Sequence, residues 1–155
     1  MKIRIAEKGD ILQIIDLLMQ INALHYKGRP DIFNQATSKF STKDVGEMLE
    51  DPKRKIFVAD DGIVAGYIIC RVIEQDGSGL MRKNKSLWIE DFCIDETFRG
   101  QGIGHKLQSV AENYAREIDC DSVTLNVWAF NKGAMKFYES CGMTPQRTVM
   151  EKKLK

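Results

Sequence analysis

Polar and apolar residues alternate at the start of the chain, Lys2 and Arg4 against Ile3 and Ile5, which predicts a strand over residues 2–6. The period then changes. Ile11, Ile14, Ile15, Leu18 and Ile21 recur at helical spacing, with Asn22 as a polar break, so a helix follows that lays an apolar stripe on a sheet and ends near residues 24–26. Asp10, with Gln13 three residues later, reads as its N-cap and capping box. Lys27-Gly28-Arg29-Pro30-Asp31 carries helix breakers and opens an irregular polar stretch up to Phe40. A connection this long in a compact domain either borders a binding site or is a mobile connector. A short helix over 41–50 stops at Asp51-Pro52, because proline disfavours helical backbone in the residue before it.

Two β-branched runs, 56–59 and 63–73, flank Asp60-Asp61-Gly62 and predict a hairpin. A polar, basic, glycine-containing loop over 76–86 leads to a strand over 87–95. Leu107, Val110, Ala111, Tyr114, Ala115 and Ile118 then mark an amphipathic helix that begins near Gly102. A strand over 121–128, a helix from Asn131 to a C-cap at Gly142, and a last strand over 148–154 complete the chain. The order β-α-α-β-β-β-α-β-α-β predicts an α/β fold with a mixed sheet.

Composition narrows the function classes. At 155 residues the chain suits one domain over 1–155, and 43% hydrophobic with 29% charged residues exclude a disordered or fibrous chain. The charge of 23 − 22 = +1 removes the usual reason to expect a nucleic-acid partner. Apolar runs such as 63–70 fall well short of the roughly 20 residues that span a bilayer. The N-terminus lacks a signal-peptide core, so no membrane partner and a cytoplasmic location are expected. Cys70, Cys93, Cys120 and Cys141 form no CxxC pair and have only His25 and His105 to complement them. They read as small buried thiols, and no metal is expected.

The passage richest in chemistry is the strand over 87–95 and the segment after it, Arg99-Gly100-Gln101-Gly102-Ile103-Gly104-His105-Lys106. Alternate glycines let backbone approach a ligand, and a helix start aims unpaired N–H groups at an anion such as a pyrophosphate. Neither a Walker A loop nor a dinucleotide fingerprint fits. No Ser or Thr follows Lys106, and the glycines are spaced GxGxG rather than GxGxxG.

These residues resemble the GNAT superfamily of N-acetyltransferases, whose signature Gln/Arg-x-x-Gly-x-Gly/Ala lies between the fourth strand and the following helix. A second stretch, from Asn131 through Ala134, Phe137, Tyr138 and Gly142 to Met143, is similar to that family's Asn-x-x-Ala-x-x-Phe/Leu-Tyr-x-x-x-Gly-Phe/Met segment. Together the two motifs cover about residues 87–145. The resemblance implies a mixed, mostly antiparallel sheet splayed between its fourth and fifth strands, with helices on both faces. It also implies acetyl-CoA as co-substrate in the splay. Backbone of Phe92, Cys93 and Ile94 would contact the acetyl group and pantetheine, which lies like an added strand. Arg99, Gly100, Gln101, Gly102, Ile103 and Gly104, with His105, would hold the pyrophosphate. Asn131 would hydrogen-bond the pantetheine region, and Tyr138 would approach the sulfur and protonate the leaving thiolate.

An acceptor ammonium is almost wholly protonated at neutral pH, so the reaction needs a base. Glu90 is favoured, acting directly or through water, with Asp91 the adjacent candidate. Strand alternation would let only one of the two face the acceptor. Cys93 reads as a packed residue rather than a nucleophile, since no histidine neighbours it in sequence. In the family the segments corresponding to 24–40 and 76–86 wall the acceptor side, making His25, Tyr26, Arg29, Asp31, Phe33, Trp88 and Asp91 candidate substrate-binding residues. The acids Glu90, Asp91, Asp95 and Glu96 suit a cationic acceptor such as a polyamine, aminoglycoside or peptide amine, although an exposed acidic strand end explains them equally. A homodimer is the family-level expectation. The alternative to an enzyme is a catalytically silent acyl-CoA-binding module, which would need the glycine turn but neither Glu90 nor Tyr138.

Overall fold

A computed structural model describes residues 1–155. β1 (Lys2–Ile5) passes through a 3-10 turn at Lys8–Asp10 into α1 (Ile11–Gly28), and an irregular stretch leads to α2 (Thr42–Glu50). β2 (Arg54–Asp60), β3 (Val64–Gln75) and β4 (Asn84–Ile94) form a meander. A second 3-10 turn, Glu96–Phe98, precedes α3 (Ile103–Glu117), β5 (Ser122–Leu125) and α4 (Lys132–Ser140). The strands lie in chain order in one sheet, antiparallel from β1 to β4 and parallel between β4 and β5. The mixed, mostly antiparallel sheet expected from the sequence is the one formed.

Alternation divides the core between the two faces. Ile56, Val58, Tyr67, Ile69 and Cys93 bury against Ile14, Leu17 and Leu18 of α1 and Val45 and Met48 of α2. Phe57, Ile68, Cys70, Leu87 and Ile89 point the other way, onto Ile103, Leu107, Ala111 and Ala115 of α3. Neither Leu18 nor Leu107 exposes any surface, so truncating either to alanine would cost about 2–5 kcal/mol.

Several local expectations change. Asp10 does not cap α1 with its side chain. Its carboxylate takes the Arg4 guanidinium at 2.7 and 2.9 Å and the Glu7 N–H at 2.8 Å, fastening β1 to the helix entry. The Gln13 side chain turns away from the helix end and accepts the Val64 N–H at 2.8 Å. The reciprocal box sits three residues earlier, between Glu7 and Asp10, because the chain enters through a 3-10 turn. The connection between β3 and β4 is shorter than expected, since cross-strand pairing extends the hairpin as far as Gln75 and Asn84.

The last strand, expected over 148–154, is absent. Residues 143–155 have no regular structure, and Val149, Met150 and Leu154 stand 94%, 86% and 88% exposed. Alternation shows which side chains share a face, but a strand also needs a neighbouring backbone, and here the tail has none. Its alternate residues Glu151 and Lys153 instead meet Arg29 at 2.9 Å and Asp31 at 3.3 Å.

One feature of the sheet positions the candidate site. β5 pairs with β4 only from Ser86↔Ser122 to Ile89↔Leu125. β4 continues for five more residues, to Ile94, with β3 alone as its partner. Beyond Ile89 the outer edge of β4 is open, which is the splay.

Candidate active site

The open edge of β4 runs into the glycine turn. Gly100 and Gly102 both have φ of +77°, and a Cβ built on either meets nothing within 4 Å. Left-handed backbone explains why glycine is used, and the empty space beside it leaves room for a ligand. Gly102 is the N-cap of α3, and the N–H of Lys106 is the first to bond back along the helix, to the Gly102 carbonyl at 3.2 Å. The N–H groups of Ile103, Gly104 and His105 therefore precede the helical ladder and face the turn as free donors. Arg99 Nε closes the turn by donating to the Ile94 carbonyl at 3.1 Å. Gly104 serves packing instead, because a Cβ there would lie 3.1 Å from the Phe137 ring. His105 joins α3 to α4 through Ser140 Oγ at 3.0 Å and an edge contact with Phe137.

Further down β4 the register shifts between Ile69 and Cys70, which face Asp91 and Ile89, so Glu90 is the extra residue of a β-bulge. A bulge breaks alternation, and the expectation that only one of Glu90 and Asp91 can face the acceptor side fails for that reason. Glu90 reaches Arg54 Nη2 at 3.2 Å and lies 3.9 Å from Arg71. The two arginines pair with each other, two residues along from Ile56↔Ile69 and on the same sheet face, the face that Asp91 also occupies opposite Ile69. The two carboxylates thus share a face in different company. Glu90 is held by guanidinium groups. The Asp91 side chain, 9% exposed, takes a 2.7 Å hydrogen bond from the Tyr67 hydroxyl and lies 3.7 Å from Lys39 Nζ.

Burial pushes the Asp91 carboxyl above the usual carboxylate range, against the opposing pull of the Tyr67 hydrogen bond and the Lys39 and His25 charges. Burial likewise pushes the Cys93 thiol up to about 12, with Asp91 adding to the effect, so the thiol stays protonated and is no nucleophile at neutral pH. The Tyr138 phenol is raised by burial and then by Asp91. It packs on Phe92 and Phe137, with centroids 6.2 and 5.3 Å away. Asn131 caps α4, its Oδ1 accepting the Ala134 N–H at 3.1 Å, which leaves its amide NH2 as a donor.

The acceptor-side candidates separate. His25 stacks on Phe33 at 5.0 Å, and Phe33 meets Trp128 edge-on at 5.0 Å; Phe130 closes the cluster against Trp128 and His25. Gly28 makes this possible, since a Cβ there would collide with the edge of the Phe130 ring. Tyr26 and Trp88 lie outside the cluster; Trp88 sits in a register row with Arg71 and Thr124. Arg29 and Asp31 pair with each other and with the tail. Lys39, Arg54, Tyr67, Trp128 and Phe130 join the site without being candidates on sequence. Only Trp128 and Phe130 carried a signal, as aromatics directly before the Asn131 motif.

Residues 18–143 match the model of the acetyltransferase (GNAT) family. The chain belongs to that family. Among curated GNAT relatives, it is 34% identical over 88 residues to an uncharacterised N-acetyltransferase in the pepI 3′ region of Lactobacillus delbrueckii subsp. lactis, covering 57% of this chain and 50% of the relative. It is 31% identical over 100 residues to the glucosamine 6-phosphate N-acetyltransferase of Arabidopsis thaliana, covering 56% and 64%. The chain thus spans about half to two thirds of the length of these two relatives. A solved structure, a tetramutant of the BH1408 protein from Bacillus halodurans, superposes with a TM-score of 0.95 at 29% identity, covering 99% of this chain and all of that one.

The GNAT family uses acetyl-CoA as co-substrate, and this chain's residues fit such a molecule. Space for a ligand lies beside Gly100 and Gly102, free N–H groups flank it, and the unpaired edge of β4 offers backbone donors and acceptors to an extended chain. No helix is long and apolar enough to cross a membrane.

Proposed function

We propose that this GNAT protein transfers an acetyl group from acetyl-CoA to a primary amine by direct attack within a ternary complex. The observation that carries the reading is the open edge of β4 beyond Ile89, with the glycine turn at one end and a desolvated carboxylate and phenol at the other. Bound acetyl-CoA would supply the acetyl group as a thioester. Gly100 to His105 would bind its pyrophosphate through backbone N–H groups, assisted by Arg99 and Gln101. Phe92, Cys93 and Ile94 would hold the pantetheine and acetyl group through main-chain contacts, with Asn131 adding an amide donor.

The base is reassigned within the carboxylate pair. Sequence position favours Glu90, but its engagement with Arg54 and Arg71 suits it to fixing the bulge. Asp91 acts electrostatically on both Tyr138 and Cys93, and burial raises its carboxyl, which favours it as the base. Asp91 would take the ammonium proton, and Tyr138 would protonate the departing thiolate. His25 and Phe33, with Trp128 and Phe130, would wall the acceptor, apolar faces suited to an alkylammonium beside a carboxylate. Small amines, aminoglycosides and peptide or protein amines are the acceptor classes proposed. A homodimer in the cytoplasm is the proposed setting.

An acetyl-CoA-dependent thiol-release screen across these amines tests the proposal. Release stimulated by at least one primary amine, with the acetyl group recovered on that amine, is expected. Tight acetyl-CoA binding without amine-stimulated release would identify a silent binding module instead.

A further inference from the structure

Lys39 lies near the end of the irregular stretch between α1 and α2, and its ammonium stands over the carboxylate end of the cleft. Nζ donates to the Glu90 carbonyl at 2.5 Å and lies 3.7 Å from Asp91 Oδ2, while the Asp91 Oδ1 atom is fixed by Tyr67. The lysine side chain remains 52% exposed although the carboxylate it meets is 9% exposed. A primary alkylamine from the chain itself therefore rests on the group proposed to accept a proton from the substrate amine.

We propose that Lys39 is an internal acetyl acceptor, acetylated in cis by the protein's own site and seated where an external amine would sit. This rests on the acetyl-CoA reading given above. The Lys39 ammonium gives one proton to Asp91, which passes it to solvent. The neutral Nζ forms a bond to the acetyl carbon as the carbon–sulfur bond breaks; the sulfur takes a proton from Tyr138, which is restored from solvent, and the second proton on the nitrogen is lost to solvent. Lys39 ends as a neutral amide and coenzyme A as a free thiol, with one proton released overall.

Distances along β4 make the step reachable. Asp91 and Cys93 are two residues apart on one face, a rise of about 6.6–6.8 Å, and the flexible four-carbon stem of a lysine sweeps a comparable span. Residues 29–41 carry no helix or strand, so Lys39 moves without breaking one. External amine and Lys39 compete for the same carboxylate. Acetylation removes the charge that Lys39 places on Asp91, leaving the carboxylate to external amines alone.

The experiment incubates the full chain with acetyl-CoA, without added amine, and follows each lysine by peptide mass spectrometry. Lys43, four residues on and 85% exposed, is the built-in comparator for unassisted acetylation. Lys39 is expected to gain an acetyl group at least about tenfold faster than Lys43, because proximity outweighs exposure. Its rate should be independent of protein concentration and should fall when a saturating acceptor amine is added. The Asp91→Asn variant should bind acetyl-CoA yet lose the Lys39 advantage. Modification of Lys39 no faster than Lys43, a rate that grows with protein concentration, or an Asp91→Asn protein that acetylates Lys39 at the unmodified rate would each overturn the inference. Calorimetry on the same sample separates the two readings. Absence of acetyl-CoA binding removes both, whereas turnover of an external amine with Lys39 unmodified removes only this one.

Discussion

The two ends of the cleft are built differently. At the glycine turn the free groups are main-chain N–H donors of consecutive residues, Ile103 to His105, held by the αL backbone of two glycines and the start of α3. At the carboxylate end the groups are side chains gathered from distant parts of the chain: His25 and Phe33, Lys39, Tyr67, Asp91, Trp128 and Tyr138. A backbone site tolerates side-chain change but not a change in backbone conformation. A side-chain site has the opposite sensitivity, and its chemistry depends on burial supplied by neighbours. Acetyl-CoA affinity should therefore depend on the first end and turnover on the second.

The sharpest break in that comparison is Gly102→Glu. It puts a side chain on left-handed backbone and a negative charge beside the proposed pyrophosphate, so acetyl-CoA affinity measured by calorimetry should fall by at least about a thousandfold. Tyr138→Phe comes next. It should lower kcat by about 10²-fold while the acetyl-CoA dissociation constant changes little, and equal losses in both would remove the acid role. Arg54→Ala leaves the Glu90 carboxylate, 7% exposed, with only the more distant Arg71, and should cost about 2–3 kcal/mol in denaturant unfolding.

The smallest effect sharpens the comparison most. Tyr67 donates to the charged form of Asp91, so Tyr67→Phe should raise an already raised carboxyl further. The ionised base would then appear only at higher pH. The acid limb of kcat/KM should move up by about 0.5–1 pH unit, from the usual worth of one hydrogen bond. A limb that stays in place or moves down would place the base elsewhere.

The same contrast explains what the sequence disclosed. The glycine turn was legible because its chemistry is local: Gly100, Gly102 and Gly104 are spaced for a tight strand-to-helix turn, and Asn131 to Met143 repeats a second local pattern. The helices and the first five strands followed from periodicity, since the apolar spacing marks the faces with which α1, α2 and α3 meet the two sides of the sheet. The tail over 143–155 was misread because alternation carries no information about whether a partner strand exists. The relation between Glu90 and Asp91 was misread because one bulged residue leaves no mark in the hydrophobic pattern yet reverses the facing of its neighbour. Lys39 and Tyr67 were invisible because only the folded chain brings 39, 67 and 91 together.

The most direct test of this division is Asp91→Asn, assayed for acetyl-CoA binding by calorimetry and for amine-dependent thiol release with both substrates saturating. The acetyl-CoA dissociation constant should stay within about threefold of that of the unmodified protein while turnover falls by about 10²–10³-fold. Unchanged turnover, or an affinity that falls in step with it, would contradict the assignment of the base to Asp91 and the separation of the two ends.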